Sequence, residues 1–305
     1  MILVGLLLLL ALVLPGLPLG QWRAFLLDAA LFAFLVSSLA LAWDMLARTG
    51  QLSLAHGAFF GLGAYAAALS APELGTIPAL LVGGGLAALS SLLLGFATLR
   101  LHGMYFAIAT LAFNEVMRTL VLKAEFTGGP IGLPVQPPFE GAYTLGAYYL
   151  AVAVLFICTV VSLLFSRSRL NYAMTATRQG EAVARVLGVP VVQVKLMVFM
   201  ISAFLAGLAG GVYAMKTMFL TPHDAFGLVR AVEALLIPIF GGLYTTAGPL
   251  LGGLIIVSLE TWLRFNIGGG GGHLVVYGVV LVLTILFLPR GLIGLFARRK
   301  GAGHA

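Results

Sequence analysis

"SRSRLNYAMTATRQGEAVARVLGVPVVQVKLMVFMISAFLAGLAGGVYA", Ser166 to Ala214, changes character partway along. Its first part carries Arg167, Arg169, Arg178, Glu181, Arg185 and Lys195, in a chain that is only 9% charged. From Leu196 it turns apolar for the roughly 20 residues that a helix needs to cross a bilayer core. A basic, helix-like segment joined directly to such a run reads as a loop at a membrane surface. The question it raises is what that loop meets.

The rest of the chain repeats the apolar half of this pattern. With 61% hydrophobic residues and a mean hydropathy of +1.10, the 305 residues lie outside the soluble globular range, and the fold class is an all-α polytopic membrane protein. About ten transmembrane helices or near-crossings are expected, at 1–19, 25–46, 53–71, 77–99, 103–122, 147–166, 196–216, 231–241, 247–262 and 273–289. The first run lacks a basic leader and a small-x-small cleavage site, so it reads as a retained helix. No stretch resembles a soluble domain. Residues 1–305 form a single transmembrane domain, and its two largest polar connections are 123–145 and 167–195.

Charge gives orientation. A net charge of +7 would suggest nucleic acid in a soluble protein, but here it marks cytoplasmic loops. If each run crosses once and 167–195 is cytoplasmic, Arg48, Arg100, Arg290, Arg298, Arg299 and Lys300 fall on the same side, and both termini are cytoplasmic. Arg23, Arg118, Lys123, Lys216, Arg230 and Arg264 are left over.

Enzymatic chemistry finds little footing. No lysine follows a glycine, so there is no phosphate loop to hold nucleotide. There is no HExxH, CxxC or plausible Ser-His-Asp spacing, and the single cysteine, Cys158, lies in an apolar run. Neither metal nor cofactor is expected in this chain. "GGGGG" at 268–272, between two apolar runs, reads as an external linker.

Within the charged segment, "RQGEAVARVL" (178–187) sets Ala182, Val183, Val186 and Leu187 on one helical stripe, with Arg178, Glu181 and Arg185 at i+3 and i+4 spacing. Gly188 and Pro190 end the helix. Such a helix either rests on lipid headgroups or docks into a cytosolic partner. Inside the apolar runs, Asn114, Glu115, Glu233 and Glu260 need partners or water, and Arg118 is spaced to pair with Glu115. Glu233 falls near an outer end, where hydration would suffice. His56, between small residues, serves either packing or substrate contact. "HGAFFGLGAY" and "FGGLYTTAGP" are glycine-interrupted segments of the kind found in close helix packing or in broken helices beside a pathway.

The segment "TRQGEAVARVLGVPVVQVKLMVFMISAFLAGLAGGVYA" resembles the cytoplasmic loop and following helix of the permease subunits of ABC importers for branched-chain amino acids, the Liv-type family. Arg178, Glu181, Ala182, Ala184, Leu187, Gly188 and Lys195 match its pattern. The resemblance covers nearly the whole chain after the first run: "GQLSLAHGAFFGLGAYAAALS", "LHGMYFAIATLAFNEVMRTL", "TGGPIGL", "VEALLIPIFGGLYTTAGPLLGG" and "YGVVLVLTILFLPRGLIGL" follow in the family's order. "TGGPIGL" and "FLPRGL" point to the LivM-like subunit. Two departures stand out: Ala55 and Gly57 exchange the small residues around His56, and Tyr244 stands where glycine is usual, which strains any turn needing positive φ.

The resemblance implies an ABC importer permease fold with Gly-rich broken helices, working by alternating access in a bacterial or archaeal inner membrane. It implies cytosolic ABC ATPases that bind ATP-Mg, a second, related permease, an extracytoplasmic binding protein and surrounding lipid as partners, and no nucleic acid. Arg178, Glu181, Ala182, Ala184, Arg185, Leu187 and Gly188 become the expected ATPase-coupling helix, with Ala182 and Ala184 seating it and Arg178 and Glu181 fixing its register. His56, Gly57, Gly61, Gly63, Asn114, Glu115, Glu233, Gly241, Gly242 and Gly248 become candidates for the translocation pathway. Gly128, Gly129, Pro130 and Gly132 become the candidate docking turn for the binding protein. A secondary transporter or channel, or an ABC permease for urea, amides or aromatic acids, stands as the alternative.

Overall fold

The computed structural model describes residues 2–16, 20–137, 143–267, 278–279, 282, 286 and 291–294. The expected linker at 268–272 and most of the expected helix at 273–289 lie outside them. Up to residue 267 the described residues form, in order, α1 (Ile2–Val13), α2 (Arg23–Ala47), α3 (His56–Leu74), α4 (Thr76–Thr98), α5 (Met104–Lys123), α6 (Tyr143–Arg167), α7 (Arg169–Gln179), α8 (Glu181–Val186), α9 (Val191–Thr217), α10 (Pro222–Phe226), α11 (Leu228–Gly241) and α12 (Ala247–Ile267). Among the described residues, α2, α4, α5, α6 and α9 are long and apolar enough to span a membrane. The other expected crossings that fall within the described residues are shorter or less apolar helices.

Helix α4 shows how sequence sets the packing. Val82, Leu86, Leu89, Leu93 and Phe96 recur every three or four residues and are exposed, which makes an apolar stripe toward lipid. The opposite face carries Gly83, Gly84, Ala87 and Ser91, all buried. These small residues let α4 meet α3 and α9 backbone to backbone. A Cβ on Gly83 would lie 2.6 Å from the Gly63 carbonyl oxygen, and one on Gly207 would lie 2.7 Å from the Ala87 Cβ. Close approach through small residues is how helices associate where lipid removes the hydrophobic drive between them.

The region between the seventh and ninth expected runs is built differently from the expectation. Rather than one short helix at 231–241, the chain makes α10, an extended step at Gly227 (φ −55°, ψ 142°), and then α11. At 1.5 Å per residue α11 reaches only about 21 Å, short of a hydrocarbon core of about 30 Å. It is one half of a broken helix. Its other end turns at Gly242 into α12. The hairpin is tight, since a Cβ on Gly252 would lie 2.5 Å from the Ile237 carbonyl oxygen.

The connection after α5 is ordered where it is described. Gly128 (φ 77°), Gly129 (φ 54°) and Gly132 (φ 97°) take left-handed backbone that other residues resist. The Thr127 hydroxyl donates to the Val121 carbonyl at 2.6 Å. Two short strands, β1 (Leu133–Pro134) and β2 (Phe219–Leu220), then pair antiparallel and tie this turn to the end of α9.

Candidate functional site

At one end of the bundle the charged loop is not the single helix that its spacing predicts. Gly180 breaks it, with extended backbone at φ 170°, so Arg178 belongs to α7 while α8 starts at Glu181. The Glu181 carboxylate accepts from Lys195, an Nζ that is almost fully buried, and from Arg185 at 3.0 Å; His102 lies 3.1 Å away. Burial would push that carboxyl up, but the Lys195 ammonium, with His102 behind it, outweighs this and holds it below the usual carboxylate value. The clamp fixes α8 on α9. It leaves Val183, Val186 and Leu187 64%, 87% and 71% exposed on the outer face. Ala182 lies on that exposed side, whereas Ala184 is buried against the chain itself, as 100° per residue requires. Gly188 (φ 81°) closes α8, and its amide donates to the Arg185 carbonyl.

Beside this loop, a polar network joins three elements. The Arg48 Nε donates to Asp44 Oδ2 at 3.0 Å, its Nη2 to Ser162 Oγ at 2.8 Å and its Nη1 to Ser166 Oγ at 2.8 Å. Ser162 and Thr246 share a hydroxyl contact of 2.8 Å, and the Tyr244 amide donates to Asp44 Oδ1 at 2.7 Å. The ends of α2 and α6 thereby hold the α11–α12 turn. Reading the sequence missed Asp44, although its position four residues before Arg48 on an apolar helix was the signal for a buried pair.

The pathway candidates divide into separate places. Asn114 is fully buried and donates from Nδ2 to the Phe226 carbonyl at 2.9 Å, which satisfies a backbone group freed where α10 breaks from α11. Its Oδ1 has no hydrogen-bond partner among the described residues and lies against Gly57, where a Cβ would come within 2.9 Å. Gly61 admits the Phe226 ring on the same side. His56 is buried edge-on against Phe59, with the Ala42 backbone nearby and neither ring nitrogen hydrogen-bonded among the described residues. Thus Gly57, Gly61 and Asn114 gather around the broken helix, while the His56 ring faces Phe59, Phe199 and the α2 backbone instead.

The other candidates lie elsewhere. Gly63 faces α4 and α9, and Gly241, Gly242 and Gly248 pack the α11–α12 turn. Glu115 points away from Asn114 and pairs with Arg118 at 2.8 Å, both side chains partly exposed. Glu233 is buried rather than hydrated, and pairs at 2.7 Å with Arg230, whose guanidinium lies over the Phe32 and Tyr213 rings. Arg230, unassigned by the sequence reading, carries the i+3 spacing that would have flagged it. At the far end, the docking-turn candidates Gly128, Gly129, Pro130 and Gly132 form the turn beside β1, next to Ile131, which is 83% exposed.

Known proteins resemble this arrangement in sequence. The family described as "Branched-chain amino acid transport system / permease component" matches residues 25–287. The high-affinity branched-chain amino acid transport system permease protein LivM of Escherichia coli (strain K12) is 31% identical over 277 residues, covering 80% of this chain and 64% of LivM. The permease protein BraD of Pseudomonas aeruginosa is 28% identical over 44% of this chain and 43% of its own. The autoinducer 2 import system permease protein LsrC of an Enterobacter species is 30% identical over 50% of this chain and 46% of its own. The chain therefore spans about two-thirds or less of the length of these relatives. No solved structure matches it.

Proposed function

Because this chain belongs to the family of branched-chain amino acid transport permease components, we propose that it is the permease subunit of an ATP-driven ABC importer that moves branched-chain, hydrophobic amino acids into the cell. The observation that carries this reading is α8: a helix clamped at its root by Glu181 and Lys195, presenting Val183, Val186 and Leu187 outward at the basic end of the bundle. A six-residue helix with three exposed apolar side chains gains nothing by itself from that exposure. It suits a groove in a cytosolic ATPase, which binds ATP-Mg and drives the cycle. On this reading the basic end faces the cytosol, the turn at Thr127–Leu133 faces the binding protein, and a second permease covers the partly exposed Glu115–Arg118 pair.

The broken helix supplies the route. On this reading the step at Gly227, whose Phe226 carbonyl is held by the Asn114 carboxamide, offers backbone polar groups to the substrate's amino-acid backbone, as the discontinuous helices of transporters do. Its surroundings, Phe226 and Ala231, suit an apolar side chain. Relatives named for branched-chain amino acid transport and for autoinducer 2 import both match this chain, and the branched-chain substrate rests on the longer of those matches. The test is reconstitution in liposomes, with radiolabelled leucine, of the chain with and without its ATPase, second permease and loaded binding protein. ATP-dependent uptake by the full set alone supports the reading; uptake by the isolated chain refutes it.

A further inference from the structure

Tyr244 has a backbone its side chain resists. Its φ is 63°, one of two positive-φ non-glycine residues among those described, and a left-handed non-glycine residue costs of order 1 kcal/mol or more. A glycine would hold the same turn without that cost. The side chain is nevertheless engaged: the guanidinium of Arg178 lies over its ring, 3.8 Å from the centroid. Gly50 makes room for this, since a Cβ there would come within 3.2 Å of the Arg178 Cα. Below the ring, the Tyr244 amide is fixed to Asp44, which Arg48 holds in turn.

We propose that Arg178 and Tyr244 form a latch that carries movement of the α7–α8 loop into the α11–α12 hairpin, so that α8 and the broken helix move together. This rests on the reading of the chain as an ATP-driven permease. The geometry gives the latch its direction. Arg178 sits in the last turn of α7, directly before the break that leads into α8, and Tyr244 sits at the turn that ends α11. Arg178 meets the hairpin through the Tyr244 ring, with the Asp44 charge nearby, whereas the hairpin's backbone stays bound to α2 and α6 through Asp44 and Thr246 whatever side chain stands at 244. Stability of the turn and its coupling to the loop are therefore separable.

The experiment uses the complete reconstituted transporter, with leucine uptake per ATP hydrolysed as the coupling readout and apparent Tm of the purified chain as the stability readout. Tyr244→Phe should match wild type in both. Tyr244→Gly should keep its ATPase on co-purification and keep or raise its Tm, yet lose about five-fold in uptake per ATP, the factor that a cation–π contact of ~1 kcal/mol represents. Arg178→Gln should show the same loss, and the double variant should lose no more than either single one. Wild-type coupling in Tyr244→Gly, multiplied losses in the double variant, or loss of the ATPase together with coupling would each overturn the latch. Wild-type uptake without ATPase would instead overturn the permease reading, a result visible before any variant is made.

Discussion

Replacing Gly83 by alanine tests the backbone-to-backbone packing of α3, α4 and α9 against a built-in control. The added methyl would stand 2.6 Å from the Gly63 carbonyl oxygen and 3.3 Å from the Gly63 Cα, all of it backbone that cannot rotate aside. Overpacking a well-filled interior costs typically 1–3 kcal/mol, and a rigid neighbour puts this site toward the upper end. Alanine returns up to about 1 kcal/mol through better helix propensity, leaving a net loss of ~1–2 kcal/mol. Gly85, two residues along the same helix, has nothing within 4 Å of its Cβ position, so Gly85→Ala collects the propensity gain alone. Apparent Tm in detergent, read by fluorescence-detected size exclusion, should fall by several degrees for Gly83→Ala and hold or rise for Gly85→Ala, at about 2–4 °C per kcal/mol. Equal shifts for the two variants would show that the three helices do not meet on these glycines.

Three further outcomes follow from the same geometry. Arg118→Ala should reduce folded yield more than Arg118→Leu combined with Glu115→Leu, because the single change strands a carboxylate on a membrane helix and the double change strands none; equal yields would mean that water already solvates the pair. The Glu181 carboxyl is held below its ordinary value, so its stabilising contribution is complete above about pH 4.3 and is lost as pH falls through the lowered folded value. Apparent Tm measured across that acid range should therefore drop less steeply in Glu181→Gln than in wild type, and parallel profiles would contradict the clamp. Ile131→Asp, on the exposed turn beside Pro130, should weaken the stimulation of ATPase activity by loaded binding protein without changing Tm; unchanged stimulation would remove that turn from the docking surface.

What the sequence could and could not announce has a physical division. The apolar spans, the loop between Arg167 and Lys195 and the turn at Gly128–Gly132 depend on local composition, and they were legible because hydropathy, charge and glycine act over a few residues. Lys195 shows where that ends. By charge it belongs to the loop, but the structure draws it into α9 and buries it, since an acid fourteen residues away, Glu181, takes its ammonium. Asn114 shows the same limit from the other side. It is visible as a polar residue in an apolar run, yet its role depends on a carbonyl freed at Gly227, more than a hundred residues on.

Tyr244 carries this reasoning furthest. In the sequence it is a residue where glycine is usual, and local rules can only score it as strain. The structure supplies the two contacts that make the strain worth keeping: the Asp44 carboxylate under its amide and the Arg178 guanidinium over its ring. Both come from distant segments, α2 and α7, which meet at this turn. A residue that violates a local preference and is held by two remote charged groups therefore answers to a demand beyond its own turn, whereas the glycines around it satisfy their local rules.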